Sequence, residues 1–471
     1  MRPTVLQRAA TVVTFDDDDR VLRDVDVRLA GGRVAGIGAG LVEDGDDVID
    51  GRDLIVLPGL VNAHQHLSQV GFRALRGLER ATIGPWLGGL TARVLERWRT
   101  GAYGPEAVRA LARAALVESL LGGVTTVADQ HYHFPGHTSG YTPPLLEAVV
   151  DAATEVGLRI HAGRGTITRG RADGGGAPDD VVQSVDDVVK HCEQLIATHH
   201  DPSPDAMVRI DLAPCGVHAD LPETFRELAS LAADHPAVGL HTHLYEVVDT
   251  AFAAEHLGTT PWRVLVDNGW AQARAWLAHM NDAPAHEIPE IAASGVGIVH
   301  LIAPDLRMGW GCAPLRDYID AGCRVGFGTT GSASNDGANL LGDLRVAALV
   351  HRQDPDPARW PTVHELLRLA TRGSADCLGR PLLGRIEVGA LADVAAWDLG
   401  SVDRVGIDDA VAGLVLTGLS DRASFVAVGG EVLVRDGRCT MIDERAVADE
   451  ARLWCRADLA PSQPGIPMED R

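Results

Sequence analysis

Two histidines one residue apart, His64 and His66, close the stretch Val61-Asn62-Ala63-His64-Gln65-His66. In an extended strand, residues two apart project from the same face. Both imidazoles therefore point the same way, and two imidazoles so placed can clasp one metal ion. A His-x-His is too short to separate that role from a packed and solvated histidine pair. Further residues of ligand or base type follow other apolar runs: Gln130 and His131, His243 with Glu246, His279, His300 with Asp305, and Thr330. If those runs end at one rim, His64, His66, His243 and His279 form a candidate mononuclear zinc or iron site. Glu246, three residues past His243, is placed to face the metal without binding it. It would carry a proton from activated water to a substrate.

Other residues receive plainer readings. His241 shares a face with His243 and is read as a core histidine in preference to a hydrogen-bonding support of the site. His131, His133 and His137 are loop histidines outside the metal shell. The acidic run Asp16 to Asp19 is a solvated turn, and Gly326 to Gly331 is glycine-rich without the lysine of a phosphate-binding loop.

An alternating architecture would position such residues. Strand-like runs occur at 54–64, 123–127, 157–161, 207–211, 238–243, 275–279, 297–300 and 325–329. Ala-rich amphipathic segments such as 106–121, 144–156 and 222–233 lie between them. Eight strands alternating with helices predict an α/β fold, a (β/α)8 TIM-like barrel, with reactive residues at the C-terminal strand ends. Residues 1–57 and 386–450 read as short strands and turns that pair into one small β-sandwich domain. The expected division is therefore 1–57 plus 386–450 for the sandwich, 58–385 for the barrel, and 451–471 for a C-terminal helix and tail.

The 471 residues are 46% hydrophobic, enough for a sizeable core, and carry a formal charge of −23. That charge argues against a nucleic acid or anionic membrane partner. Seven scattered cysteines, never spaced Cys-x-x-Cys, point to reduced thiols and a cytoplasmic location. No signal-peptide core or membrane span is legible.

Taken together, Asn62-Ala63-His64-Gln65-His66, His243-x-x-Glu246, Leu277-Ala278-His279 and Gly331-Ser332-Ala333-Ser334-Asn335-Asp336 resemble the amidohydrolase superfamily. The likeness falls in its branch of aminohydrolases and chlorohydrolases acting on nitrogen heterocycles. The runs Gly31 to Ile37 and Glu387 to Asp393 are similar to that family's small β-domain. Ala128-Asp129-Gln130-His131, Ile302 to Trp310 and Gly328-Thr329-Thr330-Gly331 resemble the s-triazine hydrolases that dechlorinate atrazine and related herbicides.

The resemblance implies one Zn2+ per chain (or Fe2+) on His64, His66, His243 and His279, with Glu246 as proton shuttle, in a homodimer. Most relatives carry a metal-touching aspartate where this chain has Thr330; the triazine hydrolases are similar in having threonine. A threonine hydroxyl is far too weak a base to accept the water's proton, so Glu246 would have to do so. Asp305 and Gln130 are candidates for fixing substrate or proton positions. Trp86, Gly163-Arg164-Gly165-Thr166 and the turn Met280-Asn281-Asp282-Ala283 are expected to shape the pocket. The implied substrate is a small N-heterocycle losing an amino, chloro, alkoxy or alkylthio group. Deamination of a guanine-like or pterin-like ring is the alternative, and a catalytically silent barrel used for binding or assembly is the rival from another class.

Overall fold

The computed structural model describes residues 2–418 and 422–455. Its centre is a parallel barrel sheet made from Leu60–His66, Val124–His131, Arg159–Thr166, Val208–Pro214, Leu240–Leu244, Ala275–His279, Gly297–His300 and an eighth strand in two pieces, Arg324–Phe327 and Thr330–Gly331. Nearly every residue of these strands is buried, because one face lines the barrel interior and the other is covered by helices. The helices include Pro105–Leu121, Leu145–Val156 and Pro222–Asp234, two of which start on proline, whose missing N–H is no loss at a helix start.

The eighth strand closes the ring. Its first piece pairs with Gly297–His300 and its second with Leu60–His66. Across the break, Gly328 N donates to His300 O and Thr329 N to His64 O. A Cβ at Gly328 would sit 2.8 Å from the His64 carbonyl oxygen, so the seam needs glycine there.

The run 54–64, expected to be one barrel strand, is two. Leu54–Pro58 pairs with Val394–Asp398 and Thr11–Val13 in a seven-stranded sheet, and only Leu60–His66 enters the barrel. The chain changes sheet at Gly59, where a Cβ would lie 2.2 Å from Thr125. A four-stranded sheet, in the order Arg33–Gly38, Val25–Ala30, Thr4–Ala9 and Asp47–Asp50, completes the small domain. Val12, Leu29, Val56, Val394, Ala396 and Phe425 share its core, separate from the barrel's. We propose 1–57 plus 386–450 against 58–385 as the domain division. Helix Ala410–Leu416 of the second segment reaches across it, with Arg345 Nε donating to Leu416 O.

Two further expectations change. The C-terminal helix begins at Glu444, not near 451, because Asp443 accepts from Arg445 N and Ala446 N and so caps it. Its Glu450 pairs with Arg109 and Arg113 of helix Pro105–Leu121. The tail, from 456 on, lies outside the described residues. The Asp16–Asp19 turn is only partly solvated: Asp16 is buried and grips the Arg20 guanidinium. No described helix is long and apolar enough to cross a membrane.

Candidate metal centre and active site

The strand ends bring the four candidate imidazoles together. His243 Nε2 lies 3.2 Å from His64 Nε2 and 3.3 Å from His66 Nε2. The other ring nitrogens show which way each lone pair faces. A carbonyl oxygen can only accept, so the 2.7 Å contact from His66 Nδ1 to Gln130 O and the 2.6 Å contact from His243 Nδ1 to Cys215 O place protons on both Nδ1 atoms. His241 Nδ1 likewise donates to Trp276 O at 2.9 Å, leaving its Nε2 to accept from His64 Nδ1 at 2.7 Å. His279 Nδ1 lies 2.6 Å from Asp305 Oδ1.

The Nε2 lone pairs of His64, His66 and His243 therefore converge at distances no hydrogen bond among them can relieve. A borderline-soft cation that accepts neutral imidazoles fits that donor set, and zinc is such a cation. Burial keeps the rings neutral: it drives His66 down to about 3, and His64 and His243 well below the ordinary histidine value.

His241 is thus not a bystander of the core, as expected from the sequence. Strand alternation puts it on the same inward face as His243 but one layer deeper, stacked on Trp276 and beneath His64. Replacing it with phenylalanine keeps the stack and removes the acceptor that fixes the His64 tautomer. Metal affinity of His241→Phe should fall by about 10–100-fold, measured by competition with a chromophoric chelator. Unchanged affinity would mean that His64 needs no such support.

His279 Nε2 stands 3.4 Å from Glu246 Oε1. Burial opposes charge on His279, but Asp305 and Glu246 outweigh it and hold the imidazole above its ordinary value. Burial raises the Glu246 carboxyl to about 7, against the pull of His279 and with added repulsion from Asp249. A cation on the imidazoles would pull it down again. Thr330 sits beside His64, Oγ1 to Nε2 3.1 Å. The backbone is left-handed at Tyr245, His279, Met280 and Thr330, all at or just past barrel strand ends. Conformations this unfavourable for non-glycine residues cluster where a site is held in place by its surroundings.

These residues open into a cleft walled in part by Ile83, Leu87, Met308 and Trp310, apolar and aromatic side chains of the kind that line small-molecule sites. Trp86, from helix Ile83–Arg99, lines it, and its buried Nε1 has no hydrogen-bond partner among the described residues. Asp305 and Gln130 do not line it. Asp305 orients His279, while the Gln130 side chain donates to the Ala213 and Pro214 carbonyls, tying its strand end to the Val208–Pro214 end. Two expectations for the wall are corrected. Gly163 to Thr166 lies within the strand Arg159–Thr166 and off the cleft, and Arg164 turns away to stack on Phe134 and donate to Gln183. The Met280–Ala283 turn is tied back, with Asn281 N and Asp282 N donating to Tyr245 O, and lies off the cleft. His131 and His133 also lie apart, and His300 contacts His351 at 3.1 Å.

Sequence reasoning passed over several lining residues, among them Cys215, His218, Tyr132 and Trp310. Cys215 lies four residues past the run 207–211, within the reach that takes in Asp305 five past 297–300, whereas His218 lies seven past it because the strand extends to Pro214.

The sequence model of the amidohydrolase family matches residues 55–433. A hydroxydechloroatrazine ethylaminohydrolase from Pseudomonas sp. (strain ADP) is 34% identical over 459 residues, spanning 93% of this chain and 92% of its own. An 8-oxoguanine deaminase from Pseudomonas aeruginosa is 36% identical over 407 residues, spanning 86% and 88%. Among solved structures, a Glu-to-Gln variant of the atrazine chlorohydrolase TrzN from Arthrobacter aurescens TC1, complexed with zinc and atraton, superposes with a TM-score of 0.93. It is 50% identical and covers 96% of this chain and 100% of its own.

Proposed function

The chain belongs to the amidohydrolase family, as a metal-dependent hydrolase of C–N or C–Cl bonds, and from that premise we propose that it displaces an amino, chloro, alkoxy or alkylthio group from an s-triazine or related N-heteroaromatic ring. The observation that carries the reading is the set of converging Nε2 lone pairs beside Glu246, the one carboxylate on the described cleft wall, with threonine at 330. His64, His66, His243 and His279 would hold the metal, zinc in this proposal, one per chain. When bound, zinc acidifies water enough to supply a nucleophile near neutral pH.

The chain's own residues do the rest. Asp305 and the Gln130 carbonyl keep Nδ1 of His279 and His66 protonated, so the opposite nitrogens remain donors of electron pairs. Glu246 is the one carboxylate among the described residues lining the cleft. It takes a proton from the attacking water and delivers it to a ring nitrogen, which makes the adjacent carbon electrophilic. Oxygen is added at that carbon, the bond to the leaving group breaks, and the water's second proton departs with the leaving group. The ring remains as a neutral hydroxylated product. A homodimer, implied by the family resemblance, and a cytoplasmic location, suggested by the scattered cysteines, complete the proposal.

Deamination of a guanine-like or pterin-like ring is the second reading, favoured by the 36% identity to an 8-oxoguanine deaminase. A panel of chloro-, amino-, alkoxy- and alkylthio-triazines, with guanine and pterin beside them, separates the two in the metal-loaded protein. Hydroxylated products carrying oxygen from labelled water are expected from the triazines, with more than one leaving group accepted on the same ring. Turnover of guanine or pterin alone would favour the second reading, and a metal-loaded protein that hydrolyses none of them would be a silent barrel.

A further inference from the structure

Beyond the converging imidazoles and Glu246, three other ionisable side chains are found on the described cleft wall: Tyr132, Cys215 and His218. Burial pushes the Tyr132 phenol and the Cys215 thiol well above their ordinary values, so both are neutral near pH 7. His218 differs. It stands four residues past the strand Val208–Pro214 on a loop pinned by Asp220, whose carboxylate accepts from Cys215 N at 2.7 Å and from the Thr166 and Thr168 hydroxyls.

His218 Nδ1 lies 2.7 Å from Oδ1 of Asp249, a carboxylate with no solvent exposure. Among the described residues Asp249 has no other ion pair, and a buried carboxylate without a counter-charge is strongly disfavoured. Burial works against a charge on His218, yet Asp249 and the neighbouring carboxylates outweigh it and raise the imidazole to about 9. Its Nε2 makes no hydrogen bond within the described protein, and 15% of the side chain is left exposed in the cleft. His218, Glu246 and Asp249 also bring potential ligand atoms within 4.8 Å of one another. Nδ1 of His218 is already engaged by Asp249 at 2.7 Å, and we assign the cluster to that ion pair and not to a second metal.

We propose that His218 sets the substrate class of the cleft, its Nε2–H donating to an oxygen carried by the heterocycle away from the leaving group. The preferred substrates are then oxo- or hydroxy-substituted N-heterocycles, ahead of rings whose remaining substituents are alkylamino groups. The proposal rests on the ring-hydrolase reading above. With Nδ1 committed to Asp249, the imidazolium offers the cleft one donor and no acceptor. An oxygen on the ring satisfies it; an alkylamino N–H meets donor with donor. A site built to hydrogen-bond one substituent rejects rings that leave its polar group unpaired. His218 is a specificity residue in this account, and Glu246 keeps the proton transfer.

The test uses the metal-loaded enzyme and its His218→Phe/Asp249→Leu double variant, which removes both charges and so leaves no buried carboxylate unpaired. Two s-triazines with the same leaving group are compared, one bearing oxygen and the other ethylamino at a second carbon. The ratio of kcat/KM for the oxygen-bearing over the ethylamino ring should fall by about tenfold or more, the scale of a charge-assisted hydrogen bond. The change should lie mainly in KM, with metal content unaltered. Equal losses on both rings, which would make His218 a support for Glu246, or an unchanged ratio, would overturn the proposal.

Calorimetry with cyanuric acid, a ring with oxygen at every carbon and no leaving group, reads binding alone. Wild type should bind it about tenfold tighter than the variant, and equal affinity would count against His218. If wild type hydrolyses neither triazine but the calorimetric difference holds, the hydrolase reading fails while the contact of His218 with a ring oxygen stands. Should the variant not fold, nitrogen NMR of labelled histidine in the wild type remains: both His218 ring nitrogens should carry protons at pH 7.5, and a singly protonated ring would refute the assignment.

Discussion

His243→Ala is expected to lose metal and activity together while the barrel still folds. Among the described contacts, His243 is the imidazole whose Nε2 meets both His64 Nε2 and His66 Nε2, at 3.2 and 3.3 Å. Removing it leaves His64 and His66 on one strand and His279 across the cleft, a set short of the four ligands a tightly held zinc ion takes. The fold has little reason to fail. His243 spends its Nδ1 proton on the Cys215 carbonyl, and its removal also relieves the crowding of lone pairs. Metal analysis should show about one ion per chain in wild type and a small fraction of that in the variant.

Thermal melts give a second readout. A ligand that binds only the folded state raises stability by about 2.7 kcal/mol when its free concentration is a hundred times its Kd. Chelator should therefore lower the melting temperature of wild type and leave that of His243→Ala unmoved. Full metal occupancy in the variant would remove His243 from the ligand set.

The ligand candidates were legible because the rules that expose them are local. Period-two alternation puts His64 and His66 on one face, and position at a strand end separates His279 from an ordinary core histidine. Depth within the barrel is not local. His241 and His243 obey the same alternation, yet one points at the cleft and the other supports His64 from the layer below. Nothing in the sequence around 241 reveals that Trp276 supplies the carbonyl that sets its tautomer.

Sheet membership failed for a related reason. The apolar run from 54 onward is equally suited to either sheet, and the change at Gly59 depends on Thr125, far along the chain. His218 went unnoticed because its character comes from Asp249, 31 residues on, and from burial, neither of which a loop histidine advertises. Gly163 to Thr166, expected at the wall, lie off it because the strand Arg159–Thr166 runs on past its apolar start and Arg164 turns toward Phe134.

Glu246→Gln should keep its metal and lose about a hundredfold or more of its turnover. Glutamine matches glutamate in size and can still hydrogen-bond, but it cannot take up a proton. The metal should stay because, among the described contacts, Glu246 meets the imidazole set through His279, at 3.4 Å, while the Nε2 atoms of His64, His66 and His243 converge without it. The loss should be large because no second carboxylate faces the described cleft. Asp305 is fully buried behind His279, Asp249 is held by His218, and Thr330 offers a hydroxyl far too weak to serve as a base. Proton uptake from water and proton delivery to the ring nitrogen thus fall on the same group, and one substitution removes both. The effect should appear in kcat, since a neutral amide of the same shape still accommodates the ring. It should also be of similar size for chloro and amino leaving groups, because the proton is needed at the ring nitrogen whichever group departs. A near-normal rate in metal-loaded Glu246→Gln would move the proton work elsewhere, with Asp305 the first residue to substitute next.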